Sequence, residues 1–138
     1  AYAPTIGMEV RVQEDYGLKD FVRHVAGDID HRCAYCYEHR LEGTAKYAAE
    51  HGFTAFTSTL LASTYQNHEA IAAAAEMYAR QYGVEFLYRD FRSNFRAGNQ
   101  RARELGFYMQ KYCGCVFSEA DRYQKQIDRD KKKFAEQA

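Results

Sequence analysis

Strand-like and helix-like stretches alternate along this chain, and that order restricts the fold classes it can adopt. Two apolar runs, Phe53–Thr57 and Val84–Tyr88, have the length and composition of buried strands. Between them, the helical spacing of apolar residues covers Asn67–Tyr82, and Gly83 follows as the expected helix end. Because strands joined by a helix pair in parallel, we predict an α/β fold with a mainly parallel sheet and flanking helices.

The remaining periodicity predicts a third strand and four further helices. Met8–Val12 alternates apolar with polar side chains, which brings the expected sheet to three or more strands. The helices are predicted over Leu18–Val25, Cys33–His51 and Ala97–Leu105, and from Ser118, where Ser118 and Asp121 form a capping pair, into the charged tail. The second of these helices is predicted to bury one stripe of side chains: Tyr37, Leu41, Ala45 and Ala48.

The composition is that of a globular protein and excludes two other classes. Hydrophobic residues make up 46% of the chain and charged residues 28%, which excludes intrinsic disorder. No run approaches the roughly 20 apolar residues of a membrane span, and Ala1–Pro4 has no signal-peptide pattern, so we expect a cytoplasmic protein. No proline follows Pro4 and no Gly/Ser linker occurs, so residues 1–138 are predicted to form a single domain.

The net charge of zero hides an acidic half and a basic half. Residues 1–76 have 6 Lys and Arg against 11 Asp and Glu, whereas residues 77–138 have 13 against 8. Aromatic residues interleave with the basic half, and this combination suits phosphates and unstacked bases. The alternative is that most of these rings belong to the core and most of the charges are solvated. Composition alone leaves both interpretations open.

Four cysteines occur as two close pairs, Cys33-Ala-Tyr-Cys36 and Cys113-Gly-Cys115. In a cytosolic protein such pairs are metal ligands or redox thiols more often than disulfides. The first pair lies at a predicted helix start, where free N–H groups favour the thiolate form. Gly114 permits a tight backbone that directs two thiolates to one side. The spacing is compatible with an iron–sulfur cluster, a zinc ion, a dithiol redox couple or unligated core cysteines.

The residues around these cysteines resemble the QueH-type epoxyqueuosine reductases between about Asp15 and Tyr123. The resemblance is carried by four ordered segments: Arg32–Tyr37, Gly52–His68, Phe86–Phe95 and Tyr108–Glu119, the last reading Tyr-Met-Gln-Lys-Tyr-Cys-Gly-Cys-Val-Phe-Ser-Glu. It implies a Rossmann-like fold related to the adenine-nucleotide α-hydrolases. It also implies cobalamin-independent reduction of the epoxide on a modified wobble guanosine in tRNA, with an electron donor as a second partner.

The same resemblance implies a [4Fe–4S] cluster next to a further iron; from the cysteines alone, zinc is the alternative occupant. The implied ligands in this chain are Cys33, Cys36, Cys113 and Cys115. Family members begin with a strand that ends in a Cys-Cys pair followed by an Asp, and no such segment precedes Met8. We therefore expect that the chain lacks the first βα units of the family fold.

Epoxide reduction needs a proton donor and groups that position the RNA. His68 and Asp90 follow predicted strands and are candidate proton donors; the alternatives are a backbone contact for His68 and an ion pair with Arg89 or Arg92 for Asp90. Tyr65 and Gln66 are candidates for stacking on and hydrogen-bonding a base, or for loop packing. The candidate phosphate contacts are Arg89, Arg92, Arg96 and Lys111.

Three functions of different classes follow from these residues. The leading one is an iron–sulfur reductase of epoxyqueuosine in the anticodon arm of tRNA. The second is a zinc-stabilised RNA-binding module without catalysis. The third is a dithiol oxidoreductase that uses Cys33 and Cys36. The metal content distinguishes them. Bound iron would indicate the reductase and bound zinc without iron the binding module, whereas a metal-free protein with reversibly oxidised thiols would indicate the dithiol oxidoreductase.

Overall fold

A computed structural model describes residues 2–137, which divide between Cys36 and Tyr37 into two compact units. The first unit contains 3₁₀ turns at Ala3–Ile6 and Ile29–His31, helix α1 (Leu18–Val25) and the start of helix α2 (Arg32–Glu50). The predicted bounds of α1 are confirmed, and those of α2 are confirmed to within one residue at each end.

The predicted strand Met8–Val12 is wrong. The segment has no regular structure, and Met8, Val10 and Val12 are 59–79% exposed. Alternation stabilises a strand only when a neighbouring strand accepts its backbone hydrogen bonds and a core covers its apolar face. This segment has neither among the described residues.

The second unit contains strand β1 (Ala55–Phe56), helix α3 (His68–Tyr82), strand β2 (Glu85–Phe86), helix α4 (Phe95–Glu104) and helix α5 (Val116–Gln137). The 3₁₀ turns Thr59–Ala62 and Arg92–Asn94 follow the two strands. β1 and β2 pair in parallel, with Phe56 opposite Phe86, as the strand–helix–strand order predicts. The fold is therefore α/β, but helices dominate it.

The sheet in the described part of the chain has two strands rather than three or more, and each strand is shorter than predicted. The ladder extends from the Glu85 N–H, which donates to Thr54, to the Leu87 N–H, which donates to Phe56, each at 2.9 Å. Beyond it, the Thr57 hydroxyl donates to the Leu87 carbonyl at 2.9 Å, which occupies the next acceptor of β2. Beyond this hydrogen bond the two segments no longer pair, and each continues into a 3₁₀ turn.

The core lies between α2, α3 and the sheet. All four residues predicted for the α2 stripe are buried, so that prediction is confirmed. Leu41, Leu61 and Ile71 are less than 2% exposed, and each contributes about 1.5–3 kcal/mol by burial. The Tyr82 hydroxyl donates to Glu42 at 2.9 Å and joins the two helices at their edge.

Helix α3 matches its prediction, whereas α4 and α5 begin earlier than predicted. The Asn67 side chain caps α3 by accepting from the Ala70 N–H at 3.1 Å, and Gly83 ends the helix at φ +68°. In α5 the Cys115 carbonyl accepts from the Glu119 N–H at 3.0 Å. Cys115 therefore stands at the cap position, and the predicted cap, Ser118, lies inside the first turn. No helix in residues 2–137 is long and apolar enough to cross a membrane.

Candidate functional site

A groove of about 570 Å³ lies in the second unit, beyond the carboxyl ends of β1 and β2. Its two walls are segments Thr57–Ser63 and Phe91–Asn99. The Phe91 N–H donates to the Leu61 carbonyl at 3.2 Å and joins the walls. Ligands of parallel sheets bind at this edge, because the loops that leave the strands converge there.

His68 is buried beside this edge at the first position of α3. It is 8% exposed, and its Nε2 lies 3.3 Å from the Ser63 carbonyl oxygen. Nε2 therefore carries the proton in the neutral ring, and Nδ1 is left as the acceptor. Nδ1 is buried and has no hydrogen-bond partner in the described part of the chain. A buried polar atom of this kind is expected to have a water or a ligand as its partner.

Asp90 forms a two-pronged ion pair with Arg92. The guanidinium Nε and Nη2 donate to the carboxylate at 2.9 and 2.6 Å, and the Arg92 backbone N–H donates to it at 3.0 Å. These hydrogen bonds hold the pKa of Asp90 well below its ordinary value, and the nearby His68 adds a smaller effect in the same direction. Asp90 is thus an ionised carboxylate that orients Arg92, and this ion pair is the predicted alternative to proton donation.

Tyr65 and Gln66 occupy the turn that precedes α3. The Tyr65 ring is 86% exposed and meets the ring of Phe95 edge-on, with centroids 6.2 Å apart. The Gln66 side-chain oxygen accepts from the Tyr37 hydroxyl at 2.8 Å. Tyr65 is therefore available to a ligand, whereas the carbonyl of Gln66 is already used to attach the turn to α2.

The remaining candidate cations are exposed. Arg89, Arg96 and Lys111 form no ion pair or hydrogen bond within residues 2–137. Arg89 follows β2 and Arg96 lies in the first turn of α4, so both are near the groove in the chain. Unpaired arginines beside a groove are suited to binding phosphate.

Each cysteine pair lies at the N-terminal end of a helix. Cys33 and Cys36 are the second and fifth residues of α2. Because they are three residues apart, about one helical turn, they lie on one face of the helix. Cys113 and Cys115 directly precede α5, and the Cys113 thiol lies 3.3 Å from the Ser118 hydroxyl. Within either unit, the described residues gather no group of three or more His, Cys, Asp or Glu side chains for a metal ion.

The backbone between Cys113 and Cys115 requires glycine. Gly114 has φ +91°, and a Cβ built there would lie 3.4 Å from the Gln110 side-chain nitrogen. The Glu119 carboxylate in the first turn of α5 raises the pKa of the Tyr112 hydroxyl. The Cys-Gly-Cys loop contacts the same turn through the Cys113 thiol.

The family model described as epoxyqueuosine reductase QueH matches residues 1–121. The chain belongs to this family. The QueH of Dehalococcoides mccartyi is 37% identical over 120 residues, which are 87% of this chain and 66% of that protein. The QueH of Thermotoga maritima is 37% identical over 109 residues, 78% of this chain and 57% of that protein.

The QueH of Streptococcus pyogenes serotype M1 is 32% identical over 114 residues, which are 78% of this chain and 45% of that protein. The chain therefore spans roughly half to two thirds of the length of these curated relatives. All three are named epoxyqueuosine reductase QueH, and the match extends through both cysteine pairs.

The four cysteines have the chemistry of metal ligands. Thiolates bind iron–sulfur clusters and zinc, and N–H groups at helix N-termini stabilise the negative charge that such a ligand needs. Both pairs have that environment, and Cys33 and Cys113 are exposed enough to meet a metal.

Sequence reasoning missed part of the QueH groove. Asn94, Gly98 and Asn99 line it together with the Phe91 and Phe95 rings. Asn94 lies four residues before Gly98, and Phe95 lies four residues before Asn99. This spacing places all four on one face at the start of α4, and that face lines the groove. The predicted start of α4 at Ala97 left Phe95 outside the helix and Asn94 away from its cap position, so this spacing was not recognised.

Proposed function

We propose that this chain reduces epoxyqueuosine to queuosine in the anticodon loop of tRNA. The observation that carries the proposal is that both cysteine pairs of this QueH family member lie at helix N-termini, the environment that favours thiolate ligands. The reaction converts the epoxide to an alkene: two electrons and two protons enter, and the oxygen leaves as water.

Cys33, Cys36, Cys113 and Cys115 are the proposed ligands of a [4Fe–4S] cluster with an adjacent iron. Such a centre, when bound, supplies single electrons and a Lewis acid for the epoxide oxygen. The two electrons would come from an external electron donor, which is the second proposed partner. Zinc on the same cysteines would give the binding module without reduction.

His68 is the proposed proton source for the leaving oxygen. Its Nε2–H donates to the Ser63 carbonyl, so Nδ1 is the atom that takes up a proton and, in the protonated ring, passes it to the leaving oxygen. Asp90 is ionised by its contact with Arg92 and is the weaker candidate. Instead, it holds the Arg92 guanidinium in a fixed position for the RNA backbone.

RNA binding is assigned to the groove edge. Arg89, Arg92, Arg96 and Lys111 are the proposed phosphate contacts, and Tyr65 is the proposed stacking ring; the Gln66 amide nitrogen is available for a hydrogen bond. We further propose that β1 and β2 belong to a larger, Rossmann-like parallel sheet in the whole protein, because β1–α3–β2 is the repeating unit of such sheets. A tRNA-modifying enzyme with reduced thiols is expected in the cytoplasm.

The decisive experiment is anaerobic reconstitution with iron and sulfide, followed by incubation with tRNA that contains epoxyqueuosine and a chemical reductant. We expect bound iron, broad absorbance near 400 nm (approximate, from thiolate-to-iron charge transfer) and conversion to queuosine, detected by mass spectrometry of nucleosides. Zinc without iron, together with RNA binding and no conversion, would support the binding module. Reversible thiol oxidation without any metal would support the dithiol alternative.

A further inference from the structure

Helix α4 contains a glycine that the fold itself does not explain. Gly98 is the fourth residue of Phe95–Glu104, inside the helix. It does not have positive φ, and a Cβ built on it meets no atom within 4 Å. Glycine is the least favourable residue in a helix interior apart from proline, so alanine would suit the helix better. The open space at Gly98 is part of the groove.

The groove offers an apolar floor with a few unused polar groups. Phe91, Phe95 and Ala62 supply apolar surface. The half-buried Asn99 carboxamide and the Thr59 hydroxyl make no side-chain hydrogen bond to any described residue. A carboxamide offers a donor and an acceptor side by side, which matches the O6 acceptor and the N1–H donor of a guanine base. Rings and a carboxamide in one slot therefore favour a flat heterocycle with polar edges.

The basic residues that follow the groove-lining rings in the chain favour a ligand with phosphate. Arg96 follows Phe95 directly, and Arg92 follows Phe91, so a cation flanks each ring in the chain. Arg96 has no acidic partner in residues 2–137, and Asp90 holds Arg92 in place. A base in the groove with its phosphates beside these arginines is the arrangement that nucleic-acid-binding proteins use for unstacked nucleotides.

We propose that this groove binds the flipped-out wobble base of the tRNA, and that Gly98 is a specificity-determining position that keeps the slot open. The inference rests on the proposed function and adds the subsite for the base. A methyl group at position 98 would occupy the space that the base needs, without touching the protein. Asn99 would then pair with the polar edge of the base.

Gly43 provides a matched control. It lies inside α2, it is exposed, and a Cβ built on it also meets no atom within 4 Å. It does not line the groove. Gly98→Ala and Gly43→Ala therefore make the same change in two helices, and only the first reaches the proposed base site.

The test measures fluorescence anisotropy of anticodon stem-loop RNAs with either guanosine or an abasic site at the wobble position. We expect wild-type protein and Gly43→Ala to bind the guanosine RNA about tenfold more tightly than the abasic RNA, the scale of one stacked base. In Gly98→Ala the two affinities should become equal, at the value of the abasic RNA. Asn99→Ala should lose part of the difference.

Two results would overturn the inference. The first is a Gly98→Ala protein that still prefers the guanosine RNA as strongly as wild type. The second is a Gly98→Ala protein that melts below wild type, because the fold itself would then need the space. Wild-type protein that reduces epoxyqueuosine but binds both RNAs equally contradicts only the base site, whereas failure to bind either RNA contradicts the proposed function as well.

Discussion

Residues 37–86 and residues 87–137 differ in how they use aromatic and apolar side chains. The first segment contains every buried residue of the described chain except Val25. The second contains nine aromatic residues, and none of them is buried. Four of the basic residues in the second segment flank the groove or precede α5: Arg89, Arg92, Arg96 and Lys111. The fold is held by the first segment, and the second presents rings and cations to a ligand.

This difference decides between two interpretations of the basic half. Of the eleven aromatic residues between Tyr78 and Tyr123, Phe86 is buried and the others are half-buried or exposed. Phe86 belongs to the core and three further rings, Tyr78, Tyr82 and Phe91, pack against it, whereas the other seven do not. The exposure of Tyr88 and Tyr108 favours stacking on bases, which supports the proposed RNA substrate.

The largest expected effect is on stability, in the first segment. Ile71→Ala removes a fully buried side chain and should lower the free energy of unfolding by about 2–5 kcal/mol. Phe134→Ala, at a ring that is 71% exposed, should change it by less than about 0.5 kcal/mol. Urea denaturation followed by circular dichroism measures both. Equal losses in the two variants would contradict the division of roles between the segments.

The next effect is on metal content, in the second segment. Cys113→Ser should abolish or greatly reduce bound iron after anaerobic reconstitution, because serine is a poor ligand for iron. The melting temperature of the metal-free protein should stay unchanged, since Cys113 is exposed. Ser118→Ala is the matched control: it removes the hydroxyl 3.3 Å from the thiol but leaves the ligand. Full iron content in Cys113→Ser would show that this cysteine is not a ligand.

Both cysteine pairs show what local sequence can and cannot predict. The start of α2 at the first pair, and the buried stripe Tyr37 to Ala48, follow from periodicity within one helix and were predictable. The start of α5 was placed two residues late, because Cys115 stands at the cap position, where its carbonyl accepts the first helical bond, and no side-chain signature marks that position. Met8–Val12 alternates like a strand, but pairing depends on a partner that local sequence does not contain.

The groove depends still more on tertiary structure. His68 and Tyr65 were identifiable because they follow a predicted strand, where ligands collect. Asn99 and Gly98 became visible only when α4 was placed beside the Thr57–Ser63 segment. For Asp90 the sequence left two predictions open, a proton donor and an ion pair. Three N–H groups of Arg92 donate to its carboxylate, which favours the ion pair.

A smaller effect is expected on RNA binding. Arg96→Ala should weaken binding of the anticodon stem-loop a few-fold and reduce the slope of log affinity against log salt by about 1, the loss of one phosphate contact. The control is Lys46→Ala, which removes a cation from the first segment, where Lys46 lies 3.9 Å from Glu50. A salt titration of binding compares the two. The same slope in Arg96→Ala and wild type would exclude Arg96 from the phosphate contacts.

The smallest expected effect is the titration of Asp90. Because Arg92 holds the pKa of Asp90 well below its ordinary value, the ion pair contributes stability above the unfolded pKa near 3.8 and loses it as the pH falls through the lower folded value. Carboxyl carbon NMR should therefore show Asp90 still ionised at about pH 3, where unperturbed aspartates are mostly protonated. In Arg92→Ala its midpoint should rise toward 3.8, because the guanidinium and its hydrogen bonds are gone. A midpoint that does not move in this variant would mean that another group holds the charge, and Asp90 would return to consideration as a proton donor.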